Sequence, residues 1–173
     1  MNDSLQIAIR KASPEDVGTL YDLSAAMGHA KEPDYFERCF AMQEDGALDV
    51  YIAAVHDKVA AYGLLSWRPK YSYYKTHNIP EIQDLNVRPA MRRKGIAKAM
   101  IEYCENAARK KAYSQMGISV GLTANYGAAQ RLYTKLGYIP DGNGVTYDRA
   151  AIQAGEFRMI DNNLCLMMVK HIA

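Results

Sequence analysis

Apolar and polar positions along the chain set out its elements before anything else does. Residues 5–11, Leu-Gln-Ile-Ala-Ile-Arg-Lys, alternate with a period of two and predict a first strand. Leu48–His56 and Val59–Trp67 read as a hairpin turning at Asp57-Lys58, with Gly63 marking a bulge. Ile79–Val87, Met116–Leu122 and Leu164–Ile172 are short apolar runs of strand length. Helical spacing appears elsewhere. Ser13 caps a helix over about 14–27, with Val17, Leu20, Tyr21 and Met27 inward and Gly28 closing it. Pro33–Gln43 predicts a shorter second helix. Gly95–Lys111 is the longest, apolar at 96, 99, 100, 103 and 107. A last helix runs from about Tyr126 to Leu136 and stops at Gly137. Residues 138–147 begin as strand and become a glycine-rich loop, and 149–159 show no clear period.

Hairpins and helices mix in this order, which predicts an α+β sheet with antiparallel pairs and one parallel pair at its centre. At 173 residues the chain reads as one domain able to bury a core without metals or disulfides. Cys39, Cys104 and Cys165 are far apart and odd in number, without zinc spacing, which fits reduced thiols in a cytoplasmic protein. The first ten residues lack the pattern of a signal peptide, and no run approaches a membrane span. Of the four histidines, His29, His56, His77 and His171, only His77 lies where it could serve chemistry. It ends the stretch Lys70–Asn78, which reads either as a tyrosine-rich surface loop or as a wall of a substrate pocket.

Charge changes the picture at one place. Residues 88–111 hold eight Lys or Arg against two Glu, a balance of +6, so the rest of a chain of net +2 sums to −4. Within this segment the strand ending at Val87 passes through Pro89, Arg92, Arg93, Lys94 and Gly95 into a helix that opens with Ile96, Ala97 and Lys98. A helix start leaves backbone N–H groups unpaired at the positive end of its dipole. Small residues at 95 and 97 let an anion approach them, and phosphate is the commonest such anion. The local balance favours a small phosphorylated ligand over nucleic acid, which would suit a more basic domain with interleaved aromatics. A solvated charged loop is the plain alternative for this turn taken alone.

Read at full spacing, Val87, Pro89, Arg92, Gly95, Ile96 and Ala97 follow V-x-P-x-x-R-x-x-G-I-A. This resembles the acetyl-CoA-binding motif of the GCN5-related N-acetyltransferase (GNAT) family. Asn125, Ala128, Leu132, Tyr133, Gly137 and Tyr138 match that family's second segment, N-x-x-A-x-x-L-Y-x-x-x-G-[F/Y]. The resemblance covers about 6–171 and is strongest over 82–138. It implies a single domain over 1–173, with a mixed, mostly antiparallel sheet of six to seven strands flanked by about four helices. It implies an acyl-CoA-dependent N-acyltransferase that passes acetyl from acetyl-CoA to a small-molecule or peptide amine by direct attack, with no metal, nucleic-acid or membrane partner.

By that resemblance Leu85, Asn86 and Val87 meet the pantetheine arm, in a cleft where the central strand parts from the next. Arg92, Arg93, Lys94, Gly95, Ile96, Ala97 and Lys98 hold the pyrophosphate. Asn125 bonds the pantetheine, Ala128 leaves room for it, and Tyr133 lies near the thioester sulfur as general acid. From spacing alone Tyr133 reads first as core, beside Ala129, Leu132 and Leu136. Glu81 is the first candidate base and Asp84 the second, three apart and therefore on opposite faces of a regular strand. Either could instead make a strand-end hydrogen bond. The rivals are a non-catalytic acyl-CoA-binding module and, more remotely, a nucleic-acid-binding domain using 88–111. A homodimer could form through the apolar last strand.

Overall fold

Residues 6–28 and 30–173 are described by the structure, a computed structural model. Leu5 and His29 lie outside the described residues. Among those described, eight strands and five helices form, one strand and one helix more than the top of the expected count. The extra helix is a single turn and the extra strand is two residues long. The chain divides into two compact units. The first takes the chain to Trp67 together with Ile82–Asn106, and the second takes Arg68–Glu81 with Ala107–Ala173.

The first unit carries β1 (Ile7–Lys11), α1 (Val17–Ala26), α2 (Tyr35–Glu44), β2 (Leu48–Val55) and β3 (Lys58–Ser66). To these it adds β4 (Glu81–Val87, all but its first residue) and most of α4 (Ile96–Lys110). The strands lie in the order β1-β2-β3-β4, with β1–β2 and β2–β3 antiparallel. The hairpin turns at His56 and Asp57, one residue before the expected pair. Both have positive φ, 48° and 62°, the conformation that matches the twist of two-residue hairpins. The bulge is not at Gly63. Register shifts between Ala53 and Ala54 of β2, whereas Gly63 pairs regularly with Tyr51. Gly63 is small because a Cβ there would lie 3.2 Å from Leu85 and 3.4 Å from Met100. Leu20, Leu23, Phe36, Val50, Ile52 and Tyr62 form the buried heart of this unit.

The second unit carries α3 (Ser72–Thr76), β5 (Gln115–Gly121), α5 (Gly127–Lys135), β6 (Ile139–Tyr147), β7 (Ala150–Ala151) and β8 (Leu164–His171). Its strands lie in the order β5-β8-β6-β7, and the pairs β5–β8, β8–β6 and β6–β7 are antiparallel. The expected glycine-rich loop is part of β6. Gly142 and Gly144 take positive φ where the register to β8 shifts between Pro140 and Val145. The tyrosine stretch is not a surface loop. It folds into α3, with Tyr71 and Tyr74 buried. The Tyr74 hydroxyl donates to the Met168 carbonyl at 2.6 Å, and Gly117 is small because a Cβ would meet the Tyr74 ring at 2.4 Å. The apolar last strand has a neighbour on each side, so it has no free edge with which to pair a second copy.

Candidate functional site

Between β4 and α4 the backbone makes a turn that leaves amides without partners among the described residues. Pro89–Met91 form one 3-10 turn, closed by Met91 N–H to the Arg88 carbonyl at 2.8 Å. Arg93 and Gly95 then take positive φ, 60° and 84°. Among the described residues, no backbone carbonyl accepts from the amides of 93–98, and the first such bond of the helix is Ala99 N–H to Gly95 at 2.9 Å. Among the described residues, and apart from its chain neighbours, nothing would lie within 4 Å of a Cβ on Gly95, so the surface there is open as well as left-handed. Arg92, Arg93, Lys94 and Lys98 are exposed, Ala97 is half-buried, and Ile96 anchors the helix in the core. No acid stands in the first turn of α4. Cations there oppose the helix dipole, an arrangement that an anion corrects. Arg92 Nε also donates to the Val87 carbonyl at 3.0 Å, tying the turn to the end of β4.

β4 itself is broken in its middle. Asp84 takes φ 48°, left-handed for a residue inside a strand. Alternation of faces therefore fails between Glu81 and Asp84. The Asp84 carboxylate accepts from four groups. Asn86 Nδ2 donates to Oδ1 at 2.8 Å, and Tyr35 and Tyr62 hydroxyls donate to Oδ2 at 2.9 and 3.1 Å. Lys31 Nζ spans both oxygens, at 2.9 and 2.8 Å. Burial and the nearby Asp84 charge push the Tyr62 hydroxyl well above its usual range, and the same two causes raise the Cys39 thiol to about 11. The half-buried Leu85 and Val87 complete the strand, and Asn86 is turned inward to Asp84 and to the Tyr62 hydroxyl at 3.1 Å.

In the second unit Glu81 is fully buried and faces Arg149. Arg149 Nε lies 3.1 Å from Oε1 and 3.3 Å from Oε2, and its Nη2 lies 3.0 Å from Oε1. Arg149 reaches this position from the β6–β7 turn, where it and Asp148 have positive φ. Burial works against its charge, but Glu81 outweighs it and holds the guanidinium above its usual value. His77 stacks on Tyr73 at 4.1 Å on the surface, with Nδ1 against the Tyr73 carbonyl.

Tyr133 lies on α5 with its ring 6.3 Å from Tyr138 and only 7% of its surface exposed. Its hydroxyl has no hydrogen-bond partner among the described residues, and no fully buried side-chain polar atom there lacks one. The hydroxyl therefore keeps a contact with solvent while the ring is packed. Burial, with a smaller push from Tyr126, raises it to about 12, so it keeps its proton at neutral pH. Asn125 and Ala128, at the start of α5, are both exposed. Gly121 before them is small because Tyr126 packs 2.4 Å from where a Cβ would stand.

The structure thus gathers Asp84 and Asn86 with Tyr62, Tyr35 and Lys31, and gathers Glu81 with Arg149. The last four partners carry no motif. They come from distant segments, and no spacing in the chain points to them. No group of three or more His, Cys, Asp or Glu among the described residues could hold a metal ion. No helix there is long and apolar enough to cross a membrane.

Residues 17–138 match the model of the acetyltransferase (GNAT) family. A search of curated protein sequences gave no significant match. Among solved structures, an N-acetyltransferase from Staphylococcus aureus Mu50 aligns with TM-score 0.71 and 16% identity, over 97% of this chain and 99% of that one. The PaiA N-acetyltransferase from Thermoplasma acidophilum, in complex with coenzyme A, aligns with TM-score 0.65 and 16% identity, over 96% and 99%. The ribosomal-protein-S18-alanine N-acetyltransferase from Escherichia coli aligns with TM-score 0.68 and 15% identity, over 97% and 95%.

Proposed function

Because the chain belongs to the acetyltransferase (GNAT) family, we propose that it transfers acetyl from acetyl-CoA to a primary amine by direct attack. The observation that carries this reading is the turn before α4, with its row of unpaired amides and its cations placed against the helix dipole. Those amides, from Arg93 to Lys98, and the side chains of Arg92, Arg93, Lys94 and Lys98 are assigned to the pyrophosphate of acetyl-CoA. Leu85, Asn86 and Val87, with Asn125 and Ala128, are assigned to its pantetheine arm.

A CoA thiolate leaving at neutral pH needs a proton, and a positioned hydroxyl can give one. Tyr133 fits that part, since its hydroxyl is protonated, open and carried on a buried ring. The acceptor amine, with an ordinary value of about 10, must lose a proton before it attacks. The oxygens of Glu81 are committed to Arg149, and those of Asp84 to four donors. We therefore assign that proton to water, and assign the two carboxylates to holding charge. Reduced Cys39, Cys104 and Cys165 suit a cytoplasmic setting.

The test is the thermal midpoint with acetyl-CoA, 3′-dephospho-CoA, ATP and NAD at equal concentration, followed by CoA release across a panel of amines. A ligand of the folded state adds about 2.7 kcal/mol at a hundredfold excess over its dissociation constant. The expected result is a rise that is largest with acetyl-CoA, and CoA release with at least one amine. No rise with acetyl-CoA would remove the assignment of the turn. A rise without CoA release from any amine would leave a binding module.

A further inference from the structure

Lys31 is the one member of the Asp84 cluster that no helix or strand holds. Asp84 and Asn86 stand on β4, Tyr62 stands on β3, and Tyr35 opens α2. Lys31 lies in the connection between α1 and α2, between Gly28 and Asp34, which both have positive φ, 74° and 64°. Its ammonium meets both oxygens of Asp84 within 2.9 Å and lies 4.8 Å from the centre of the Tyr35 ring. A carboxylate and an aromatic face around one cation are the means by which proteins recognise an alkylammonium group.

Asp84 does not need Lys31 for its hydrogen bonds, because Asn86, Tyr35 and Tyr62 supply three. What Lys31 supplies is charge. A carboxylate with 17% of its side chain exposed, bonded to the fully buried Tyr62, is stabilised by a counter-cation. Any primary ammonium could provide it. The anion and the aromatic wall are thus fixed by regular structure, and the cation is delivered on a tether.

The cluster also favours a cation that remains one. An opposing carboxylate stabilises the protonated amine. A nitrogen that must lose its proton in order to attack is therefore badly served there, and a second, non-reacting nitrogen is well served. We propose that Asp84, Tyr35 and Tyr62 form a cage for the non-reacting ammonium of a diamine acceptor, and that Lys31 is an internal occupant which this ammonium displaces. The choice of the reacting nitrogen rests on the transferase reading above, whereas occupancy of the cage is readable from binding alone. An internal occupant that fills the cage about 90% of the time weakens an external ligand about tenfold.

The test is calorimetric titration of the full chain with 1,4-diaminobutane, using butan-1-ol as the neutral control. Lys31→Met and Lys31→Gln should each tighten diamine binding about tenfold. Adding Asp84→Asn to Lys31→Met should abolish that gain, and butan-1-ol should bind neither variant. Folded Lys31 variants that bind the diamine no better than wild type would overturn the proposal. So would failure of both to fold, which would make Lys31 a structural partner. CoA release is followed in parallel. Tightened diamine binding without CoA release from any amine would leave the cage and remove the transfer reading. CoA release with unchanged diamine binding would do the reverse.

Discussion

Tyr133 is the residue on which the chemistry is most exposed to test. Its ring is packed and its hydroxyl is open, so Tyr133→Phe removes one oxygen without making a cavity. Turnover should fall on the order of a hundredfold, as for loss of a general acid, while calorimetric affinity for acetyl-CoA stays unchanged. Glu81 and Arg149 make the opposite prediction. Removing one partner strands a charge where Glu81 is fully buried. Arg149→Leu should cost about 3 kcal/mol in denaturant unfolding, and Glu81→Gln should lower stability without moving either limb of the pH–rate profile. A moved limb would return Glu81 to the role of base. The turn before α4 was legible in the sequence because its residues lie in one contiguous stretch, Val87–Ala97. The partners of Asp84 were not, since Lys31 is 53 residues away and Tyr62 is 22, and such a lysine looks like any surface cation until the fold is known.

At the scale of elements, the turn into α4 depends on backbone that ordinary residues resist. Gly95 has φ 84°, and among the described residues nothing but its chain neighbours lies within 4 Å of where a Cβ would stand. Gly95→Ala should therefore cost roughly 1–2 kcal/mol from left-handed backbone alone, measured by thermal unfolding. Any loss of acetyl-CoA affinity beyond that would report contact with the ligand, because no protein group is crowded. Elements with a strong period were read correctly to within a residue or two, as for α4 and α5. Those that missed did so for two reasons. The tyrosine stretch became helix because Tyr71 and Tyr74 found partners far along the chain, at Asp141 and Met168, which local pattern does not encode. The shift of the hairpin turn to His56-Asp57 and the break at Asp84 both turn on left-handed φ at residues other than glycine, for which composition gives little sign.

For the whole molecule, the number of buried tyrosines sets a pH limit. Tyr51, Tyr62, Tyr71, Tyr74 and Tyr133 all have hydroxyls raised above the ordinary 10.0, in each case first by burial. The protonated form is the one the fold favours, so this stability is fully present below pH about 10. It is lost as pH rises through the folded values, which for Tyr133 means towards about 12. Tyrosinate absorbance at 295 nm should show Tyr51, Tyr62, Tyr71 and Tyr74 ionising together with the loss of circular dichroism, whereas the accessible Tyr133 hydroxyl can titrate before it. Ionisation of the first four ahead of unfolding would contradict their burial. The order of the second unit has a consequence in time. β8 follows β6 and β7 in the chain yet lies between β5 and β6. Until it inserts, β5 and β6 have no shared partner, and the loop-closure entropy of a distant pairing must be met first. During refolding those bare edges are the surfaces open to aggregation. Pulse-labelled hydrogen exchange should find the amides of β5 and β6 that face β8 protected only in the phase that also protects β8.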